Sequence, residues 1–240
     1  MRITIRIGRY SFEPGLVATA AACGLIALTL WLGDWQLGRA QEKRERQALF
    51  EARMNDTPVH LTGAVATADA LLYRRVRAAG RWVGERQFFV DNRIHDGRAG
   101  FDVITPLAIE GGGASVVLVN RGWIARTADY PRAPRVAVPE GPVQVSGLAT
   151  RPPARFLELS PATISGDVWQ NLSIERFAAH TGLVTLPVVV LLEAPPAGLA
   201  AVRETPDAGI AKHVEYAFTW FALAATALVL WVALNLRRAS

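Results

Sequence analysis

Sulfur-containing side chains are scarce in this sequence. Its 240 residues include a single cysteine, Cys23, and two methionines, the initiator and Met54. A disulfide, a cysteine-based metal cage and a dithiol redox pair all need more than one thiol, so the chain by itself cannot form any of them. Copper delivery favours soft sulfur ligands, and one methionine beyond the initiator argues against that role.

Signatures of enzymes and of nucleic-acid binding are missing as well. The glycine-rich segment EGGG (110–113) lacks the following helix and lysine of a phosphate loop. The net charge of +5 is not arranged as a basic stripe interleaved with aromatic residues. The histidines are scattered without the i, i+4 spacing of a helical metal site: His60, His95, His180 and His213. We therefore interpret the chain as neither an enzyme nor a partner of nucleic acid.

Apolar residues are abundant, at 51% of the total, and they are concentrated near the two ends. Segments 15–33 (GLVATAAACGLIALTLWLG) and 216–236 (YAFTWFALAATALVLWVALNL) contain no charged residue. At about 1.5 Å per residue, each is long enough to cross the roughly 30 Å hydrocarbon core of a bilayer. Both segments are predicted to be transmembrane helices.

Two other interpretations of segment 15–33 compete with a membrane anchor. A cleaved signal peptide or lipoprotein signal would end near Cys23, yet the apolar run continues to Leu32. A buried helix of a soluble protein would require two charge-free runs of this length to share one small core. A retained anchor is therefore the favoured interpretation.

The charged flanks predict the orientation of the two helices. Arg2, Arg6 and Arg9 precede the first apolar segment, and Arg237 and Arg238 follow the second. Short basic flanks remain in the cytoplasm, whereas long loops cross largely regardless of charge. The predicted order is a cytoplasmic N-terminus (1–14), a transmembrane helix (15–33), an extracytoplasmic domain (34–215), a second transmembrane helix (216–236) and a cytoplasmic tail (237–240).

The domain between the helices is predicted to begin with a helical extension. Residues 34–54 lack proline and are rich in helix formers until the Asn-Asp-Thr-Pro sequence at 55–58. A second, short helix is predicted between a Ser173 cap and a Gly182 stop.

Most of the remaining secondary structure is predicted to be β-strand. Segments 86–94, 101–109 and 115–124 are rich in β-branched and aromatic residues, and short glycine-containing connections join them. That pattern predicts an antiparallel meander, with LPVVVLLE (186–193) among further strands. The predicted fold class is thus a membrane protein whose two terminal transmembrane α-helices flank a mainly antiparallel β (α+β) extracytoplasmic domain.

His213 stands at the start of the second apolar segment. At 100° per residue, His213, Tyr216 and Trp220 share one helical face. Aromatic residues beside a polar histidine are typical of an interfacial belt that anchors a helix at headgroup level. A neutral imidazole is also a good iron ligand, and an aromatic wall suits a porphyrin. The pattern alone leaves both interpretations open.

Four motifs, taken in order, make the chain similar to the SURF1 family. They are LGDWQLGR (32–39), DNR (91–93) before GFDVITPL (100–107), VNRGWIA (119–125) and HVEYAFTWFALA (213–224). The likeness covers essentially the whole chain, and the order and spacing of the motifs make it specific.

The resemblance implies a function in the assembly of haem-copper cytochrome c oxidase at the bacterial inner membrane, with the central domain in the periplasm. Bacterial members of the family are implicated in handling haem a, so haem a is the implied cargo. The implied partners are the oxidase core subunit and, as a second candidate, haem a synthase, besides the lipid bilayer. The resemblance nominates His213 as axial ligand of the haem iron and Trp220 as its aromatic neighbour, and Tyr216 shares their face.

Charged residues near the two helix ends are further candidates. Arg39 could form a charge-assisted pair with a haem propionate, or it could anchor the interface beside Trp35. Lys212 and Glu215 depart from the family pattern around His213 and could pair with each other or with propionates.

Three alternatives stay open at this stage. A membrane scaffold that stabilises oxidase assembly intermediates without binding haem would share the predicted topology. A membrane enzyme of haem modification is disfavoured, since only two spans and no redox residues are predicted. In VNRGWIA, an Arg121 stacked on a neighbouring tryptophan, with Gly122 allowing close approach, would be a purely structural arrangement.

Overall fold

The computed structural model describes residues 5–63, 67–113, 115–152, 164–204 and 209–238. Arg2 and the last two residues of the predicted tail lie outside these ranges. The chain forms two compact units, Met1–Ala48 with Pro206–Ser240, and Leu49–Thr205. In chain order the elements are β1 (Ile5–Ile7), β2 (Tyr10–Phe12), α1 (Leu16–Met54), β3 (Val59–His60), α2 (Ala68–Leu71), β4 (Arg75–Trp82), β5 (Phe88–His95), β6 (Arg98–Ile109), β7 (Ser115–Ala125), β8 (Pro142–Thr150), β9 (Ile164–Ser165), β10 (Val168–Trp169), α3 (Ile174–Thr181), β11 (Val184–Leu192), α4 (Ile210–Asn235) and β12 (Leu236–Arg238).

The terminal unit is built on two long helices, α1 and α4, that run antiparallel to each other. Near one end of the pair, Trp231 Nε1 donates to Thr19 Oγ1 at 3.2 Å. Further along, a Cβ at Gly33 would lie 2.5 Å from the Phe221 ring, so glycine lets the helices approach closely here. Small residues at such positions are typical of helix pairs in membranes.

The contact face of α1 follows a heptad repeat. Its buried and half-buried positions recur at alternating intervals of three and four residues, and they include Thr19, Ala22, Ile26, Thr29, Gly33, Gln36 and Ala40. This average spacing of 3.5 residues is the one that keeps a seam of side chains facing a partner helix. On α4 the fully buried residues are Ala217 and Ala224.

Many of the large apolar side chains of both helices are exposed. Trp31, Phe218 and Val229 are all more than 60% exposed. Both helices are long and apolar enough to cross a membrane. In the most apolar 18-residue stretch of each helix, only 11% is buried. Helices of the core of a soluble protein would be mostly buried, so the observed exposure favours lipid as their surroundings, and the predicted pair of terminal membrane helices is confirmed.

A small antiparallel sheet joins the two chain ends. Strand β2 pairs with β1 on one side and with β12 on the other. Glu13 N donates to Asn235 O at 2.9 Å, and the Phe12 ring meets the Trp231 ring edge-on at 5.2 Å. The segment predicted as a tail therefore begins as a paired strand.

The other unit contains a nine-stranded mixed sheet, ordered β3-β4-β8-β11-β7-β6-β5-β10-β9. Strand β4 pairs with β6 as well as with β8, with Gly80 opposite Ile109. This second pairing closes β4, β8, β11, β7 and β6 into a five-stranded barrel. All five strands send apolar side chains into one core, among them Val76, Leu107, Val117, Val145 and Val188.

Strand β7 is buried on both faces, which explains its continuous apolar sequence. Val117 and Val119 belong to the barrel core, whereas Val116 and Leu118 belong to a second cluster. That second cluster contains Phe177 of α3 together with Phe88, Trp169 and Val189.

The predicted meander is confirmed, because β5, β6 and β7 pair antiparallel in sequence order. The predicted short helix is also confirmed: Ser173 Oγ accepts from Arg176 N at 3.1 Å, and Gly182 has a φ of 71°. Three pairings are parallel, namely β11 with β7, β3 with β4 and β10 with β5. Strand β11 can run parallel to β7 because β8 and α3 lie between them in sequence and supply a long crossover.

Candidate functional site

His213 lies in the first turn of α4. Gly209 precedes the helix with a φ of 104°, and its carbonyl accepts from His213 N at 3.2 Å. Ala217, one turn later, is buried in the seam with α1. His213 is half-buried, so its imidazole stands at the end of the helix pair with part of its surface accessible.

The imidazole of His213 is oriented by Gln36 of α1. His213 Nδ1 lies 2.6 Å from Gln36 Oε1. An amide oxygen can only accept, so Nδ1 is the donor and carries the hydrogen. In the neutral form of the ring the lone pair is then on Nε2, and Nε2 makes no hydrogen bond or ion pair with the described residues. A histidine that donates from one ring nitrogen and offers a lone pair on the other is able to bind a metal.

The aromatic residues predicted on the same helical face differ in exposure. Tyr216 is 57% exposed, whereas Trp220 is half-buried beside the seam. Ala217 lies between these two residues and is buried, which shows that the centre of this helical face packs against α1. His213 and Trp220 therefore flank the helix pair, and Tyr216 extends outward on the same side of α4.

Arg39 lies one turn beyond Gln36 on α1. Its Nη1 is 2.6 Å from Glu42 Oε2, and the two side chains are 42% and 51% exposed. An exposed pair of this kind contributes about 0.2 to 1 kcal/mol, which an anionic ligand could outcompete. Among the described residues, Arg39 forms no hydrogen bond with His213.

The charged neighbours of His213 do not bond to each other. Lys212 and Glu215 are both exposed, and no ion pair joins them among the residues that the structure describes. The sequence suggested that Lys212 and Glu215 pair either with each other or with propionates, and the pair between the two residues is not formed.

His213 does not belong to a ready-made metal-binding cluster of the described residues. In the described ranges, no group of three His, Cys, Asp or Glu side chains could hold a metal ion.

Arg121 of the VNRGWIA motif is buried, and its contacts explain why. Its guanidinium donates to Gln87 Oε1 at 3.0 Å and to Ala137 O at 2.9 Å. It also lies 5.5 Å from the centre of the Trp82 ring. The expected stack of an arginine on a tryptophan is present, although the partner is Trp82 of β4 and not the adjacent Trp123.

A β-bulge sets this position of Arg121. Asn120 pairs with Ile104, and Gly122 pairs with Val103, so Arg121 is the additional residue on β7. Asn120 Oδ1 accepts from Gly122 N at 3.0 Å across the bulge. Gly122 has a φ of 136°, and a Cβ there would lie 2.8 Å from Ala200 O. Glycine is required because both the conformation and the close approach exclude a side chain.

Gln36 is the residue of this site whose role the sequence did not reveal. It belongs to the LGDWQLGR motif, but nothing in that motif shows which side chain faces α4. The signal that could have found it is the interval pattern of α1, because Gln36 is three residues after Gly33 and four before Ala40.

Similarity to known proteins points to one family. The model of the SURF1 family matches residues 23–225. A SURF1-like protein of Monosiga brevicollis is 27% identical over 221 residues, covering 87% of this chain and 84% of the relative. A SURF1-like protein of Rickettsia felis is 26% identical, covering 84% of this chain and 89% of the relative. Surfeit locus protein 1 of Takifugu rubripes is 24% identical, covering 86% of this chain and 92% of the relative.

Proposed function

Because this chain belongs to the SURF1 family, we propose that it is an assembly factor for haem-copper cytochrome c oxidase that binds haem a and assists its delivery to the core subunit. The observation that carries the proposal is the hydrogen bond between His213 Nδ1 and Gln36 Oε1. Because of this bond, Nε2 is the ring atom available to iron. It lies in the first turn of α4, just before the apolar segment 216–236.

The residues around His213 suit a porphyrin in their chemistry. Trp220 and Tyr216 supply aromatic surface on the side of α4 that carries the imidazole. Arg39 of α1 is a candidate to pair with a propionate, once its weak contact with Glu42 is broken. Haem a is the cargo in this proposal, and its own chemistry is used only after it has been handed on.

The proposed activity makes and breaks no covalent bond of the cargo. In this proposal His213 binds the iron reversibly, because the cargo has to be released to the recipient. We accordingly propose a carrier or chaperone and not an enzyme, with the oxidase core subunit as recipient and haem a synthase as a candidate donor.

A spectrum of the purified protein tests the proposal. Protein from cells that make haem a is expected to carry it and to show its absorption, whereas protein from cells without haem a synthesis should be colourless but equally abundant in the membrane. Colourless protein from both strains would overturn haem binding and favour the scaffold that stabilises assembly intermediates.

We further propose that both termini are cytoplasmic and that the sheet domain lies in the periplasm of a bacterial inner membrane. The positive flanks Arg9, Arg237 and Arg238 support this orientation. Reporter fusions after Arg238 are expected to be active in the cytoplasm, and fusions inserted near Pro134 to be active outside. A cytoplasmic signal from the Pro134 fusion would contradict the orientation.

A further inference from the structure

Two motifs of the sheet domain play no part in the haem proposal, and they meet at one pocket. The DNR motif (91–93) lies within β5, and the VNRGWIA motif (119–125) lies within β7. Between these strands, β6 carries Asp102. An open pocket of about 340 Å³ lies here, and its polar lining residues are Asn92, Arg93, His95, Asp102, Trp123 and Arg203.

Trp123 forms a fixed wall of this pocket. A Cβ at Gly100 would lie 2.4 Å from the indole, so glycine allows the ring to lie against β6. The indole Nε1 donates to Arg93 O at 2.9 Å. His95 stacks on the indole, with ring centres 5.1 Å apart and planes inclined by 28°. The imidazole is therefore held in place by an aromatic neighbour.

The backbone of Trp123 also brings the last wall into position. Trp123 N donates to Ala200 O, and Ala200 N donates to Trp123 O, both at 2.8 Å. This reciprocal pair ties the segment after β11 to β7. Arg203, three residues further along that segment, then lines the pocket with its exposed side chain.

Arg93 has hydrogen-bonding capacity that the protein does not use. Its Nε is buried and has no hydrogen-bond partner among the described residues. Asp102 Oδ2 lies 3.7 Å from this nitrogen, which is too far for a hydrogen bond. A buried N–H without a partner is destabilising, so this arginine has an unmet hydrogen-bonding requirement.

The charges around the pocket are unequal. Arg93 and Arg203 are positive, and Asp102 is the one acid on the wall, while Asp96 lies outside it at 3.6 Å from His95 Nε2. Burial raises the pKa of Asp102 to about 6, although Arg93, Asn120 and His95 act to lower it. Mild acidification therefore removes the negative charge of Asp102 beside the two arginines.

We propose that this pocket binds the oxyanion group, a carboxylate or a phosphate, of a small soluble ligand, and that the ligand binds together with a proton. The Arg93 guanidinium supplies the donors that match an oxyanion. A protonated Asp102 adds an O–H donor at a position where the carboxylate would repel the ligand. The site is independent of haem binding, because none of its residues belongs to the His213 site.

Anion titrations of the full-length protein in nanodiscs of neutral phosphatidylcholine test the proposal. Succinate and inorganic phosphate are the two probes, at constant ionic strength and at pH 5.5 and 8. The expected affinity for at least one probe is about tenfold or more higher at pH 5.5, because Asp102 is mostly neutral there and almost fully charged at pH 8. The ring signals of His95 in histidine-labelled protein should shift on binding. Preference for succinate identifies a carboxylate, and preference for phosphate a phosphate.

Three variants decide whether this pocket is responsible. Arg93→Gln is expected to lower the affinity at pH 5.5 at least about tenfold, as loss of a charge-assisted contact does. Arg132→Gln, which removes an exposed arginine outside the pocket, should have no effect. Asp102→Asn should raise the affinity at pH 8 and flatten its pH dependence, an effect that a merely structural role would not produce.

Two results would overturn the proposal. One is the absence of saturable binding of either anion at pH 5.5 by folded protein. The other is unchanged binding in Arg93→Gln or, if that variant does not fold, in Arg203→Gln, whose side chain is exposed and whose replacement should not disturb folding.

Discussion

Replacing His213 with alanine is expected to abolish the haem a spectrum of the purified protein while the chain remains folded and membrane-inserted. The reason is that Nε2 of His213 carries the lone pair that is proposed to bind the haem iron, and an alanine side chain has no such atom. The measurement is the absorption of bound haem per mole of protein, with membrane levels checked separately. His60→Ala is a matched control, since His60 is exposed on β3 and should not affect the spectrum.

Two companion variants separate ligation from other roles of this region. Gln36→Leu keeps the size of the side chain but removes the acceptor of Nδ1–H, and should weaken haem affinity about 10- to 100-fold, as loss of such partners typically does. Nitrogen NMR of the haem-free protein should show a mixed His213 tautomer in Gln36→Leu and restored Nδ1–H in Gln36→Glu. Trp220→Phe keeps an aromatic wall and should weaken haem retention less than His213→Ala does.

The cellular effect of His213→Ala should be partial. Assistance with delivery is kinetic, so haem a can still reach the oxidase slowly. We expect assembled oxidase depleted of haem a, measured as haem a per core subunit, and not a complete loss of the enzyme. If His213→Ala protein carries haem with an unaltered spectrum, the histidine is an interfacial anchor and the scaffold function takes precedence.

The membrane helices were predictable because their signal is local. A charge-free run of bilayer length needs no tertiary information, and the Ser173 cap and Gly182 stop of α3 are equally local. The β5 to β7 meander was predictable for the same reason, since short glycine-containing connections allow only neighbouring antiparallel strands.

What could not be predicted depends on contacts between distant residues. The parallel pairing of β11 with β7 follows from a crossover whose direction no strand pattern encodes. Gln36 and His213 are 177 positions apart, and only the packing of α1 against α4 shows that they meet. The partner of Arg121 was likewise hidden, because a single extra residue at the bulge changes which neighbours the side chain reaches.

Arg121 gives the second large expected effect, on stability. Arg121→Ala should lower the free energy of unfolding of the sheet domain by about 3 kcal/mol, because the 2% exposed side chain leaves a cavity and Ala137 O loses its donor. For a domain of this size that corresponds to a fall of about 6 to 12 °C in Tm. Thermal unfolding of the full chain, followed by the circular dichroism of the sheet, is the measurement. The matched control Arg132→Ala, at an exposed position, should change stability by less than about 0.5 kcal/mol.

Arg121→Met distinguishes the contribution of volume from that of charge. Burial lowers the pKa of Arg121, which shows that the protein environment disfavours the charged guanidinium, although arginine remains protonated at neutral pH. Methionine fills much of the space without that desolvation, and Gln87 Oε1 keeps its bond from Thr105 Oγ1 at 2.9 Å. We therefore expect the decrease in Tm caused by Arg121→Met to be less than about half of the decrease caused by Arg121→Ala. Equal losses in the two variants would mean that the hydrogen bonds and the Trp82 contact, and not the filled volume, hold this side of the barrel together.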